Sequence, residues 1–430
     1  MSEAAPGPGL AAQRHGLVRR TPGFLTLWVG QGLSCVGSEI TVLALPLLAA
    51  LTLAAGPGQV GLLVAAEQAP LMGFGLLVGP LVDRVGPRRV ILVTDYGRAA
   101  ILLLVTLLAV TDRLSVTLLL LAAALLGCLT AAYEVAIMVF VPELVPVADL
   151  MPANARLEGT RALAQVAGPG LGGLLVQAAG PAKALLADVA TFAVSAVTVH
   201  RLKRVEPPRP ERAPGGSGAR GIRGHLAAIR AGVAVVWQDR RLRLLGLSAG
   251  GFNVFVGVAV AVEVFYAVRV VGLEPATLGA AISAGLAGGV VGTLLVGRLY
   301  RVLGARTVLV TGLLVAAPAP LLVFAAGSAG GAAAVLVAAG YLANAVGVAL
   351  FAVTNLSFRQ AVVPAASRAT AIAASRLLSR AGLPVGAVLG GAVAAVASPG
   401  TALVLAAAGQ GLAAAVMAAR RRLLPARLTG

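Results

Sequence analysis

The chain has 430 residues, of which 59% are hydrophobic and 12% charged, with a mean hydropathy of +0.94. That balance excludes a water-soluble globular fold. A net charge of +18 would suit a nucleic-acid binder, but the arginines punctuate apolar stretches rather than pave one surface, so no nucleic-acid partner is expected.

Residues 1–23 are polar and basic and lack the apolar core of a secretory signal, which predicts a cytoplasmic tail. Six apolar spans follow at about 24–53, 58–82, 90–110, 114–141, 155–179 and 182–199, within a predicted first unit of residues 24–200. Each approaches or exceeds the ~20 residues that a helix needs to cross a hydrocarbon core of about 30 Å. Between 201 and 223 arginines alternate with Pro207, Pro208, Pro210 and Pro214 and lead into a Gly/Ser run, the composition of a flexible linker. Apolar residues at Ile222, Leu226, Ile229, Val233 and Trp237 then repeat at helical spacing. They predict an amphipathic helix on the membrane surface, with an extension of the seventh span as the alternative. The linker and this helix together occupy 201–241. Six more spans are expected at about 242–268, 275–297, 306–326, 330–357, 368–396 and 401–419, forming a second unit of 242–419 before a basic cytoplasmic tail at 420–430.

The two units share a register. Pro57 pairs with Pro275, Gly61 with Gly279, Gly79 with Gly297, Gly86 with Gly304, Arg88 with Arg306, and Pro146 with Pro364, every pair at the one numbering offset 275 − 57 = 218. A constant offset across helix starts and turns marks an internal repeat, here of two parallel six-helix halves. Only Arg113, Lys183 and Arg269, three of 34 basic residues, fall in the loops opposite the tails. The positive-inside rule then places both termini in the cytoplasm, as twelve spans require.

Two cysteines inside apolar stretches, Cys35 and Cys128, indicate neither a disulfide nor a metal site. His15, His200 and His225 stand at a tail, a span end and the linker. No nucleophile–base pair or phosphate loop accompanies them, so neither an enzyme nor a cofactor is expected.

The turn between spans two and three reads Gly79-Pro80-Leu81-Val82-Asp83-Arg84-Val85-Gly86-Pro87-Arg88-Arg89. This Gly-x-x-x-Asp-Arg-x-Gly-x-Arg-Arg spacing resembles the loop signature of the major facilitator superfamily. The resemblance extends from Phe24 to Arg420 and implies an all-α membrane protein of twelve helices in two pseudo-symmetric bundles. It also implies that Asp83 faces the start of span eleven when the cytoplasmic side is closed, with Arg84, Arg88 and Arg89 in support. The repeat offset carries Asp83 to Arg301 and Glu158 to Arg376. Two gate contacts are therefore expected, Asp83 near Arg376 and Arg301 near Glu158, with Arg161 and Arg368 as competing members.

Gly168-Pro169-Gly170-Leu171-Gly172-Gly173 resembles the antiporter motif Gly-Pro-x-x-Gly-Gly of export members. Its small residues allow close helix approach and its proline a bend. The counterpart in the second unit is taken as Gly382 to Gly391, displaced by three positions. The stretches Leu27 to Ser34, Leu45 to Leu48 and Pro142 to Pro146 look like the branch of macrolide-efflux and siderophore-exporter proteins.

Acids inside spans are costly and are functional suspects. Glu39, Glu67 and Glu134 are the proton-coupling candidates; Asp188 is a further in-span acid, Glu263 sits near the outer rim, and Asp95 with Arg98 reads as an intrahelical pair. Spans one, four, seven and ten line the cavity in the superfamily, which adds Gln31, Tyr133, Asn253, Asn344 and Asn355 as polar lining. Span four lacks the arginine that many drug:proton antiporters carry there. The expected function is proton-coupled export of an amphipathic small molecule by alternating access, in a monomer of the bacterial inner membrane. The alternatives are nutrient uptake and a non-transporting sensor or assembly subunit.

Overall fold

The computed structural model describes residues 22–202, 230, 233–363 and 368–424, with the side chains of 22, 73–77, 368–373 and 376 outside the description. Most of both tails, the Pro-rich linker and most of the predicted surface helix lie outside the described residues, whose regular elements are all helices.

The first group comprises α1 (Pro22–Leu47, continued by a π-helical turn Leu48–Thr52), α2 (Pro57–Gln68), α3 (Pro70–Val85), α4 (Pro87–Val110), α5 (Val116–Leu144), α6 (Leu150–Ala179) and α7 (Pro181–Arg201). The second comprises α8 (Arg240–Arg269), α9 (Pro275–Leu286), α10 (Gly288–Ala316), α11 (Ala319–Ala325), α12 (Ala333–Val362), α13 (Arg368–Val396) and α14 (Pro399–Ala419). Prolines open α2, α3, α4, α7, α9 and α14, where the missing N–H has no helical partner to lose. Ser115, Asp239 and Ser398 cap α5, α8 and α14 through their side-chain oxygens.

Gly86 ends α3 at φ 92° and Gly304 interrupts α10 at φ 76°. A Cβ at Gly86 would meet nothing within 4 Å. The glycine is there for its backbone conformation, which L side chains rarely adopt. The predicted turn and its copy in the second unit thus share one geometry.

Ten helical stretches are long and apolar enough to cross a membrane. One, Pro275–Ser328, runs for 54 residues, about 80 Å at 1.5 Å per residue and more than twice a hydrocarbon core. It contains the break at Gly304. The predicted span two, 58–82, is divided by the break between Gln68 and Pro70 into α2 and α3 and is not among the ten. Leu104, Leu107, Leu121, Leu125 and Leu294 are exposed on the outside of these helices, as contact with lipid requires.

Within the first group α1 packs on α6 and α7, α4 on α5 and α7, and α5 on α2 and α3; within the second α8 packs on α13 and α14, and α12 on α9, α10 and α11. The groups meet chiefly where α6 crosses α9 and α2 crosses α13, at the end opposite the tails. A Cβ on Gly61 would stand 2.7 Å from Gly391 Cα and 2.8 Å from the Ala387 carbonyl. A Cβ on Gly279 would run into the Pro169 carbonyl and stand 3.0 Å from Gly173 Cα. The repeat offset carries 61, 169 and 173 to 279, 387 and 391, so the crossings are copies of each other. The displacement expected after Pro146 is therefore corrected: Gly391 is the counterpart of Gly173, because backbone packing keeps the register where Gly-rich letters drift.

Candidate functional site

Two cavities lie on the tail side of those crossings. The first, about 220 Å³, is lined by Gln31, Cys35, Glu134, Asn154, Glu158 and Arg161 together with Trp28 and several apolar residues of α1, α5 and α6. The Trp28 indole donates to Thr160 Oγ1 at 2.9 Å, and Arg161 lies 3.9 Å from Glu158 and shares the cavity wall with Cys35. The second cavity, about 320 Å³, is walled by α8, α10, α12 and α13 and includes Asn253, Asn355, Arg359, Ser379 and Arg380. Glu134 Oε2 and Arg380 Nη1 approach to 4.0 Å, joining α5 of the first group to α13 of the second. Counted back from the Leu144 end of α5, Glu134 lies about 15 Å into the helix at 1.5 Å per residue.

The far side is sealed. Besides the glycine crossings, Gly170 N–H donates to Ser283 Oγ at 2.8 Å. Gln177 donates to Glu274 and accepts from Ala276 N–H, both at 3.0 Å. Arg269 donates to the Ala50 carbonyl in the π-helical turn. All of these contacts join the first group to the second.

Residues 27–387 match the sequence profile of the Major Facilitator Superfamily. The chain belongs to this superfamily. No curated protein sequence matches it. Its fold is similar to that of the nucleoside transporter NupG (TM-score 0.72, 14% identity, 92% of this chain and 98% of that one). It is also similar to a bacterial homolog of the human lysosomal transporter Spinster, inward-facing and unoccupied (TM-score 0.69, 16% identity, 96% and 98%). A third is a bacterial homologue of the iron transporter ferroportin, inward-facing (TM-score 0.64, 15% identity, 93% and 98%). The protein is accordingly a multi-pass membrane protein with a transporter fold.

The superfamily turn is displayed rather than engaged. Gly79 lies within α3, and Asp83, Arg84 and Arg89 are exposed. Arg88 instead turns to the end of α7, donating to the carbonyls of Val199 at 3.3 Å and His200 at 2.8 Å, a favourable place for a cation at a helix C-terminus. Arg301 is exposed, and Glu158 pairs within its own helix. Neither expected gate pair is formed among the described residues; the side chains of Arg368 and Arg376 lie outside them.

The antiporter-like stretch sits in the far seal. Gly168 and Gly172 face Glu39 and Ile40 of α1, while Gly173 and the Pro169 carbonyl face Pro275 and Gly279 of α9. Glu39 is thus half-buried under α6, and Glu67, half-buried near the end of α2, is within electrostatic reach of Glu39 and Asp188. Asp188 is buried and accepts from Thr41 at 2.6 Å and Thr191 at 2.9 Å. Asp95 and Arg98 pair at 2.5 Å, Ser195 donates to Asp95 at 2.7 Å, and the Arg98 guanidinium lies 4.3 Å and 4.2 Å from the ring centres of Tyr133 and Phe192. Tyr133 therefore packs over this buried pair rather than lining either cavity.

Gln31 lines the first cavity; Asn253 and Asn355 line the second. Asn344 is apart from them, in a small cavity of about 50 Å³ with Glu263, Tyr341 and Gln410. Glu263, expected at the solvated rim, lines this small cavity beside Tyr341. Sequence reasoning passed over Arg359 and Arg380: Arg359 fell just beyond the predicted span 330–357, and Arg380 within span 368–396 was not weighed. An arginine near the middle of α13 is as conspicuous a signal.

Proposed function

We propose that the protein is a secondary transporter that exports an amphipathic small molecule by alternating access, driven by proton entry. In this reading 57–85 crosses once despite its break and 275–328 crosses twice around Gly304, making twelve crossings in two six-helix bundles, 24–200 and 242–419. The tails, rich in arginine, face the cytoplasm, and the far seal is the outer side of a bacterial inner membrane. The protein then stands inward-facing, and the protomer works alone.

The observation that carries the reading is the Glu134–Arg380 contact between the two groups, on the tail side of a glycine seal. An acid and a base on opposite bundles bias the equilibrium between states according to whether the acid is charged. The arginine absent from span four is supplied here by α13. Apolar walls at Trp28, Ile137, Met138, Val141 and Leu157 suit an amphipathic cargo, and the Gly-Pro stretch at the outer crossing supports export. Glu39 and Glu67, grouped with Asp188, are the alternative proton carriers. Arg301 is exposed, and Asp83 has no partner among the described residues; both fit the same reading, since their contacts belong to the inward-closed state.

The test is accumulation of lipophilic probes in everted vesicles with and without an imposed pH gradient. Export predicts gradient-dependent accumulation, lost in Glu134→Gln with probe binding retained. Accumulation confined to right-side-out vesicles would favour uptake, and none in either orientation would refute transport of this class.

A further inference from the structure

The second cavity carries positive charge without acidic lining. Its described wall includes Arg359 and Arg380 but no Asp or Glu; Glu134, which approaches Arg380, belongs to the first cavity. Arg359 is 5% exposed, yet its Nε and Nη2 have no hydrogen-bond partner. A guanidinium keeps its charge, and a buried charge is stable only when paired and hydrogen-bonded. Its planar fork matches the paired oxygens of a carboxylate, sulfonate or phosphate. Asn355, on the same wall one turn from Arg359, is 9% exposed with an unpartnered side-chain oxygen. A half-turn of its amide presents the NH₂ to the same anion. Apart from Asn253 and Ser379, the remaining wall is apolar, with Phe252, Leu313, Phe351 and Leu356.

We infer that this cavity binds the anionic head of an amphipathic organic anion, with Arg359 as its anchor and Arg380 as its second donor. The apolar body of the ligand lies against Phe252, Phe351 and Leu356. The inference rests on the export reading and narrows its cargo to molecules bearing a carboxylate, sulfonate or phosphate. Binding an anion at Arg380 also competes with Glu134, so the ligand weakens the contact between bundles.

A matched pair of fluorescent probes tests this: 8-anilinonaphthalene-1-sulfonate, and N-phenyl-1-naphthylamine, which lacks the sulfonate. Each is titrated into the full chain in phosphatidylcholine nanodiscs, with empty nanodiscs subtracted. The sulfonate is expected to bind more tightly than the neutral probe. Arg359→Gln should weaken it at least about tenfold, as loss of a charge-assisted bidentate contact does, and leave the neutral probe unchanged. Arg359→Lys should restore part of the loss. Arg380→Gln, at a side chain 68% exposed, should weaken the sulfonate by a smaller factor and carries the test if Arg359→Gln fails to assemble. Equal affinity for both probes, or equal loss of both in the variants, would overturn the proposal. Loss of sulfonate binding in phosphatidylglycerol nanodiscs would assign the site to a lipid headgroup and overturn the cargo assignment. Binding is read at equilibrium without a gradient, so failure of vesicle transport leaves this result standing, and the converse holds.

Discussion

At the far end of the interface, Gly61 meets Gly391 and Gly279 meets Gly173, backbone against backbone. At the tail end, α3 and α10, which continue the same two crossings, expose Asp83, Arg84 and Arg301. Glycine crossings gain by dispersion over close surfaces, and in lipid such packing takes the place of the hydrophobic effect. Exposed charges gain only ~0–1 kcal/mol per pair. In the proposed cycle, a seal of the first kind would hold while the cavity loads, and contacts of the second kind would form and release cheaply on the loading side. The two ends share one repeat, so the asymmetry lies in side chains added to a common backbone plan.

The largest effect on this contrast is expected from filling the seal. Gly279→Val drives side-chain carbons into the Pro169 carbonyl; overpacking of this kind costs about 1–3 kcal/mol. It should open the far side, measured as faster labelling of a far-side cysteine by an impermeant maleimide in a background lacking Cys35 and Cys128. Unchanged labelling would show that the crossing does not hold the state.

A smaller shift in the same direction should follow Arg269→Gln, which removes the donor to the Ala50 carbonyl. A part-buried hydrogen bond of this type contributes about 0.5–1.5 kcal/mol. The same labelling assay should rise several-fold, and a double variant with Gly279→Val should add less than the sum if both act on one seal.

The gate charges should move the equilibrium by no more than about 1 kcal/mol. Glu158→Arg should favour the inward-open state, and adding Arg301→Glu should restore part of the difference, read by a tail-side cysteine probe. Strict additivity would exclude a Glu158–Arg301 contact.

The smallest effect on stability is expected for Asp83→Asn. The carboxylate is exposed and has no partner among the described residues, and such surface changes stay within about ±0.5 kcal/mol. Thermal unfolding should hardly move while the export rate falls. Export at the wild-type rate from normally assembled protein would remove Asp83 from the gate.

The sequence by itself determined the helical character, most of the apolar stretches, and the repeat, though the structure gives ten membrane-length stretches rather than twelve. These follow from local rules: hydropathy over a membrane's thickness, proline at helix starts, and glycine where the backbone must reverse. Gly86 and Gly304 were legible for that reason. Only the tertiary structure decided which charges meet. Glu134 was legible as an acid at cost in an apolar span, but Arg380, far along the chain in the other half, became its neighbour only when the bundles docked. Tyr133, the very next residue to Glu134, faces Arg98 instead, because adjacent residues on a helix point about 100° apart and the pattern does not say which neighbour fills each direction. Glu263 was read near the outer rim by counting residues, whereas the pocket it shares with Tyr341 and Gln410 depends on how α8, α12 and α14 pack. The return of Gly173 at Gly391 was hidden by a chain holding 54 glycines, and the register became visible only where two backbones touch.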